Sequence, residues 1–122
     1  ILEIKEKPIT IECFLTDENG TSKERYYPNS KSIPKEKKII FNLLRDNRPF
    51  VMHNFESIEW YARNSGKQAE DMQHLNLDFE KHFNNKTICT VDAAYLGHHY
   101  IECKILRGHL PTERVTFPIF VQ

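Results

Sequence analysis

The chain has 122 residues with 17 basic and 17 acidic side chains, and its net charge of zero removes the charge argument for a nucleic-acid or anionic-membrane partner. Eight Phe, five Tyr and one Trp within a 39% apolar composition supply one buried core without disulfide or metal staples. No apolar run approaches the ~20 residues of a membrane span, and no charged-then-apolar leader opens the chain. The expectation is a soluble, cytoplasmic single domain over residues 1–122, starting at Ile1 rather than Met as a domain excised from a longer chain does.

Ile9, Ile11 and Cys13 alternate with Thr10, Glu12 and Phe14, the period of two of a strand. Asn19-Gly20 follows, a hairpin signal because both residues tolerate positive φ, and Ser22 to Tyr27 reads as the return strand. Ser32 and Pro34 suit the start of a first helix carrying Ile40, Leu43 and Leu44 and ending at Asn47-Arg48-Pro49. Asn54 is placed to cap a second helix with Phe55, Ile58 and Ala62 on one face, closed by Asn64-Ser65-Gly66. Ala69, Met72, Leu75, Phe79 and Phe83 fall three or four apart and predict a third helix from about Lys67 to Phe83.

Beyond Asn84-Asn85 the pattern is sheet: strands at 87–91, 95–106 and 115–121, with Gly108 and Pro111 turning between the last two. Pro118 assigns the last strand to a sheet edge. The expected fold class is α+β, an antiparallel sheet (N-terminal hairpin plus C-terminal strands) packed against two to three helices. Cys13, Cys89 and Cys103 form no CxxC pair and read as free buried thiols.

On the long strand, His98, Tyr100, Glu102 and Lys104 share one face, and His99, Ile101, Cys103 and Ile105 share the other. His99 and Cys103 then stand roughly 13 Å apart along the strand, too far to clamp one ion, and no metal or cofactor is expected. Asp92 followed by Glu102-Cys103-Lys104 resembles the PD-(D/E)xK nuclease pattern, although Val91 stands where that family has proline. The resemblance implies a metal-dependent nuclease in which Asp92 and Glu102 hold Mg²⁺, Lys104 helps activate water, and His98 assists as acid or base.

Charge is also clustered along the chain. Lys31 to Arg48 carries six basic against two acidic residues, and a nucleic-acid-binding ridge there would comprise Lys35, Lys37, Lys38, Arg45 and Arg48. Glu56 to Glu80 carries six acidic against two basic residues, with Trp60 and Tyr61 among them. Being adjacent, those two aromatics cannot both enter the core. The leading expectation is a small non-catalytic protein-binding module, an inhibitor, immunity-type or recognition domain, using Glu56, Glu59, Trp60, Glu70 and Asp71. Its partner is then another protein, with nucleic acid as the alternative and no membrane.

Overall fold

A computed structural model describes residues 7–17, 19–20, 22–73, 76–78 and 83–122. It contains β1 (Ile9–Thr16), β2 (Lys23–Tyr26), β3 (Lys38–Arg45), β4 (Arg48–Pro49), β5 (Glu56–Arg63), α1 (Lys67–Asp71), β6 (Asn76–Asp78), β7 (Ile88–Asp92), β8 (Gly97–Arg107) and β9 (Leu110–Val121). The strands form two antiparallel sheets. In the first the order is β2-β1-β3, with β4 and β7 sharing the far edge of β3; in the second it is β6-β5-β8-β9.

The sheets stack because each strand alternates. Cys13 and Leu15 of β1, Ile39, Phe41 and Leu43 of β3, and Cys89 of β7 point inward from the first sheet. Ile58, Trp60 and Ala62 of β5, Ile101, Cys103 and Ile105 of β8, and Phe117, Ile119 and Val121 of β9 meet them from the second. Phe41 and Phe117 touch edge to face across the gap with centroids 5.8 Å apart. Burying this much apolar area is the main favourable term in folding. At one end Arg45 of β3 reaches across to Glu113 of β9 in a two-pronged pair at 3.0 and 2.5 Å. Where β9 ends, Ile33 lies beside it: its N–H donates to the Phe120 carbonyl at 2.7 Å and its own carbonyl accepts from Gln122.

The expected α+β class is corrected by this arrangement, which is mostly antiparallel sheet with one short helix among the described residues. The predicted first helix is β3, where Ile39, Phe41 and Leu43 are buried at every second residue. The predicted second helix is β5, with Ile58, Trp60 and Ala62 buried in the same rhythm. The third begins as predicted at Lys67 but α1 stops at Asp71; residues 76–78 pair with β5, and much of the remainder up to Phe83 lies outside the described residues. The N-terminal hairpin and the three C-terminal strands form as expected, with Pro118 on an edge strand. All three cysteines are free and buried. Burial pushes the Cys13 and Cys89 thiols up to about 12, so both stay protonated core groups.

Candidate functional site

Two loops meet at the end of the sandwich where β5 and β7 finish and β8 starts. The first, residues 64–66, leads from β5 into α1; the second, residues 93–96, joins β7 to β8. Their backbones approach so closely that a Cβ on Gly66, whose φ is +98°, would stand 2.9 Å from the Leu96 carbonyl oxygen. Gly97, at φ +118°, has the Ser65 carbonyl at 3.2 Å from the corresponding position. Glycine is required at both because only it combines positive φ with such contact. The Leu96 N–H donates to Gln68 Oε1 at 3.0 Å, and the Ser65 hydroxyl donates to the His98 carbonyl.

His99 fastens these loops from inside. Its Nδ1 accepts the Ser65 N–H at 3.0 Å and its Nε2 lies 2.7 Å from the Tyr95 carbonyl. Accepting at Nδ1 and donating at Nε2 is the pattern of one neutral tautomer. Burial holds the imidazole below its ordinary 6.5 despite the hydrogen bond to Tyr95, which favours the charged form. A turn from the first sheet completes the frame: Glu36 N–H donates to the Ala93 carbonyl at 2.7 Å, and Ala93 N–H donates to the Lys37 carbonyl at 2.9 Å.

Between this frame and the inner face of the second sheet lies a cavity of about 390 Å³. Ala62, Phe83, Val91, Ala93, Ile119 and Val121 give it an apolar floor, while Asn64, Tyr95 and His99 supply polar groups. Its size and composition match small-molecule sites, which are mostly apolar with a few placed polar groups. The small side chains of Ala62 and Ala93 keep the space open.

The outer face of the same sheet carries the row expected from strand alternation. His98, Tyr100, Glu102 and Lys104 point away from the core, with His98 stacked on Phe120 at 4.3 Å. The Glu102 carboxylate, 4% exposed, is enclosed by Arg63 at 3.2 Å, Arg114 at 3.2 Å and Lys104 at 3.7 Å. Arg63 and Lys104 also flank the Tyr61 ring at 4.7 and 5.0 Å. Asp92 belongs to the other sheet, so the structure does not bring it to Glu102; cations, not a second carboxylate, surround Glu102. Among the described residues no group of three or more His, Cys, Asp or Glu side chains is placed to hold a metal ion.

The five residues of the expected acidic surface are not assembled either. Glu56 opens β5, its carboxylate accepting the His53 N–H at 2.8 Å, whereas Glu59 stands on the outer sheet face across from Lys104. Glu70 and Asp71 lie on α1, past the far end of β5. Trp60 is corrected outright as a surface residue: it is fully buried and its indole N–H donates to the Lys86 carbonyl at 2.9 Å. Tyr61 is the aromatic left outside. Lys35 and Lys37 occupy the turn into β3 and Lys38 opens that strand, none of them on a helix, and Arg45 is committed to Glu113.

Sequence reasoning missed Asn64, Ala93, Tyr95 and the bracing role of His99, because the long contacts that join the two loops have no local signature. The available signal was the pair of glycines, Gly66 closing the predicted second helix and Gly97 two residues inside the predicted strand at 95–106. A second feature was also missed. At the opposite end of the sandwich, Val51, Met52, Phe55 and Leu110 are exposed, Phe55 by 87% at a φ of +68°. The Phe55 carbonyl accepts the Gly108 N–H at 2.8 Å, which ties this loop to the β8–β9 turn.

The architecture is therefore that of a two-sheet recognition domain with a ligand-sized cavity at one end. The chain belongs to the family of adenylyl/guanylyl and SMODS C-terminal sensor domains, whose profile matches residues 1–121. No curated protein matches it significantly. The domain is thus a sensor and interaction module of the kind that adenylyl/guanylyl and SMODS proteins carry, and a sensor binds a ligand or a partner. Among the described residues no helix is long and apolar enough to cross a membrane.

Proposed function

We propose that this domain senses a small ligand taken into the cavity between the sheets, and that the two loops braced by His99 report its presence. The observation that supports this most directly is the cavity itself, about 390 Å³ of largely apolar space beneath backbone segments held by side-chain hydrogen bonds. A bound ligand would touch the β7–β8 loop through Ala93 to Tyr95, and that loop is tied to α1 through Gln68, which gives binding a path to the surface.

Indole, a ring-sized apolar probe, tests the reading. It is expected to shift the backbone amide NMR signals of Ser65 and Ala94 to Leu96, and Ala93→Phe, which fills the cavity, is expected to abolish that response. Equal shifts in the wild type and the filled variant would remove the cavity as the site.

A protein partner is the second reading, supported by the apolar tip at the other end. Val51, Met52, Phe55 and Leu110 are held out by a hydrogen-bonded frame rather than by a loose loop. Exposed apolar groups on a fixed frame are the usual composition of a docking surface. In this reading Glu56 and Asp71, two of the acidic residues expected from the sequence, serve as local ion pairs with Arg107 and Lys67, and the contact is apolar.

A further inference from the structure

The outer face of the second sheet carries an opening of its own, on the opposite side of that sheet from the cavity. Arg63 of β5 faces Tyr100 of β8 across the strands, Tyr100 faces Pro118 of β9, and the next row is His98 against Phe120. With Ser65 at one end, these side chains wall an open groove of about 490 Å³. Much of the wall is ring surface: Tyr100 is 41% exposed, Pro118 is half-buried beside it, and His98 is fixed by its stack on Phe120. Exposed rings on a sheet face offer a stack to a flat aromatic ligand. The charge here has one sign. Among the described residues no acidic side chain lines the groove, and Arg63 supplies a cation. Its guanidinium is preorganised by Glu102 at 3.2 Å and by the Tyr61 ring at 4.7 Å. A guanidinium has five N–H donors, so several remain to bind an oxyanion in charge-assisted bonds. Arg63, Lys104 and Arg114 also outnumber Glu59 and Glu102 among the described side chains of this face.

We propose that this groove binds a nucleoside monophosphate, its base stacked on Tyr100 and its phosphate held by Arg63. Direct cross-strand neighbours start about 5 Å apart at their Cβ atoms, so a ring and an anion joined by one sugar reach both residues. The volume takes one such unit. The site stands independently of the cavity, yet both border the 64–66 loop: Ser65 walls the groove, and its N–H is the one that His99 accepts from the other side. Occupancy of the groove therefore bears on the same braced loop.

The experiment compares adenosine 5′-monophosphate with its two halves, adenosine and ribose 5-phosphate, by calorimetric titration. The wild type is expected to bind the nucleotide at least tenfold tighter than adenosine, the worth of a hydrogen bond between charged groups. It is expected to bind the nucleotide at least fivefold tighter than ribose 5-phosphate, the lower bound for one base stacked on an aromatic side chain. Arg63→Gln is expected to bring the nucleotide and adenosine within about twofold of each other, and Tyr100→Leu to do the same for the nucleotide and ribose 5-phosphate. Each ratio is read within one variant, so a loss of stability common to both probes cancels. No nucleotide binding by the wild type, binding no tighter than that of either half, or an unchanged ratio in either variant would overturn the proposal. Ala93→Phe, which fills the cavity, is expected to leave the nucleotide affinity unchanged. Loss of binding there would move the nucleotide into the cavity and overturn the groove as its site.

Discussion

His99 is the residue on which the site geometry most depends, and its titration has a definite sign. In the unfolded chain an ordinary imidazole protonates near 6.5; in the folded domain burial resists that proton. As pH falls through 6.5 the unfolded state binds more protons than the folded one, so stability declines from there down to the lowered folded value. Thermal unfolding between pH 7.5 and 5.5 is expected to show this decline. His99→Gln, which offers an acceptor and a donor without a titrating ring, is expected to flatten it; parallel curves for the two proteins would contradict the assignment. The face of His99 was readable from sequence because alternation on β8 is strict, and so was the outward row with Glu102. Its hydrogen bond from Ser65 was not readable, since Ser65 lies 34 residues away. Trp60 is a related case. Its adjacency to Tyr61 required one ring to stay out, but only the carbonyl of Lys86, 26 residues on, shows why the indole is the one inside.

At the scale of elements, two periodicities compete in the same letters. Ile40, Leu43 and Leu44 satisfy helical spacing, while Ile39, Phe41 and Leu43 satisfy a strand; Ile40 and Leu44 are half-buried on the outer face, so both patterns find apolar residues. In β5 the strict alternation Ile58, Trp60, Ala62 was present, yet Phe55, Ile58 and Ala62 matched a helix equally well. Partner strands decide between such readings, and they come from β1, β7 and β8, far away in sequence. The hairpin at Asn19-Gly20 needed no distant partner and was legible for that reason.

The glycines make the loop contact testable at this same scale. Gly66→Ala introduces a Cβ into both a positive φ and the Leu96 carbonyl, and is expected to cost about 2 kcal/mol or more. Gly20→Ala, at φ +68° with open space around it, bears the backbone strain alone and is expected to cost about 1 kcal/mol. Urea unfolding of both variants reads as the difference the contact together with the more restricted backbone of Gly66. Equal losses would mean that the two loops do not press on one another.

For the molecule as a whole, strand direction sets the layout. β5 starts at the apolar tip and ends at the cavity, and β8 runs back from the cavity to the tip, so the two sites sit at opposite ends of the same pair of strands. The Glu102 cluster lies between them on the outer face, where Arg63, Lys104 and Arg114 tie β5, β8 and β9 together. That separation lets ligand recognition and partner docking be removed independently. Phe55→Asp and Leu110→Asp each place a charge on the tip, where both side chains are mostly exposed, so neither is expected to change the indole response at the cavity. In the second reading proposed above, docking of a protein partner onto the tip, with the remainder of a SMODS-type protein as the probe, is expected to weaken at least tenfold in either variant, since an apolar anchor at an interface centre costs about 2 kcal/mol or more when lost. Analytical ultracentrifugation of the two parts, with and without each substitution, reads that loss directly. Unaltered association would move the partner surface away from the tip, while a lost indole response would show that the two ends of the sandwich are coupled through β5 and β8.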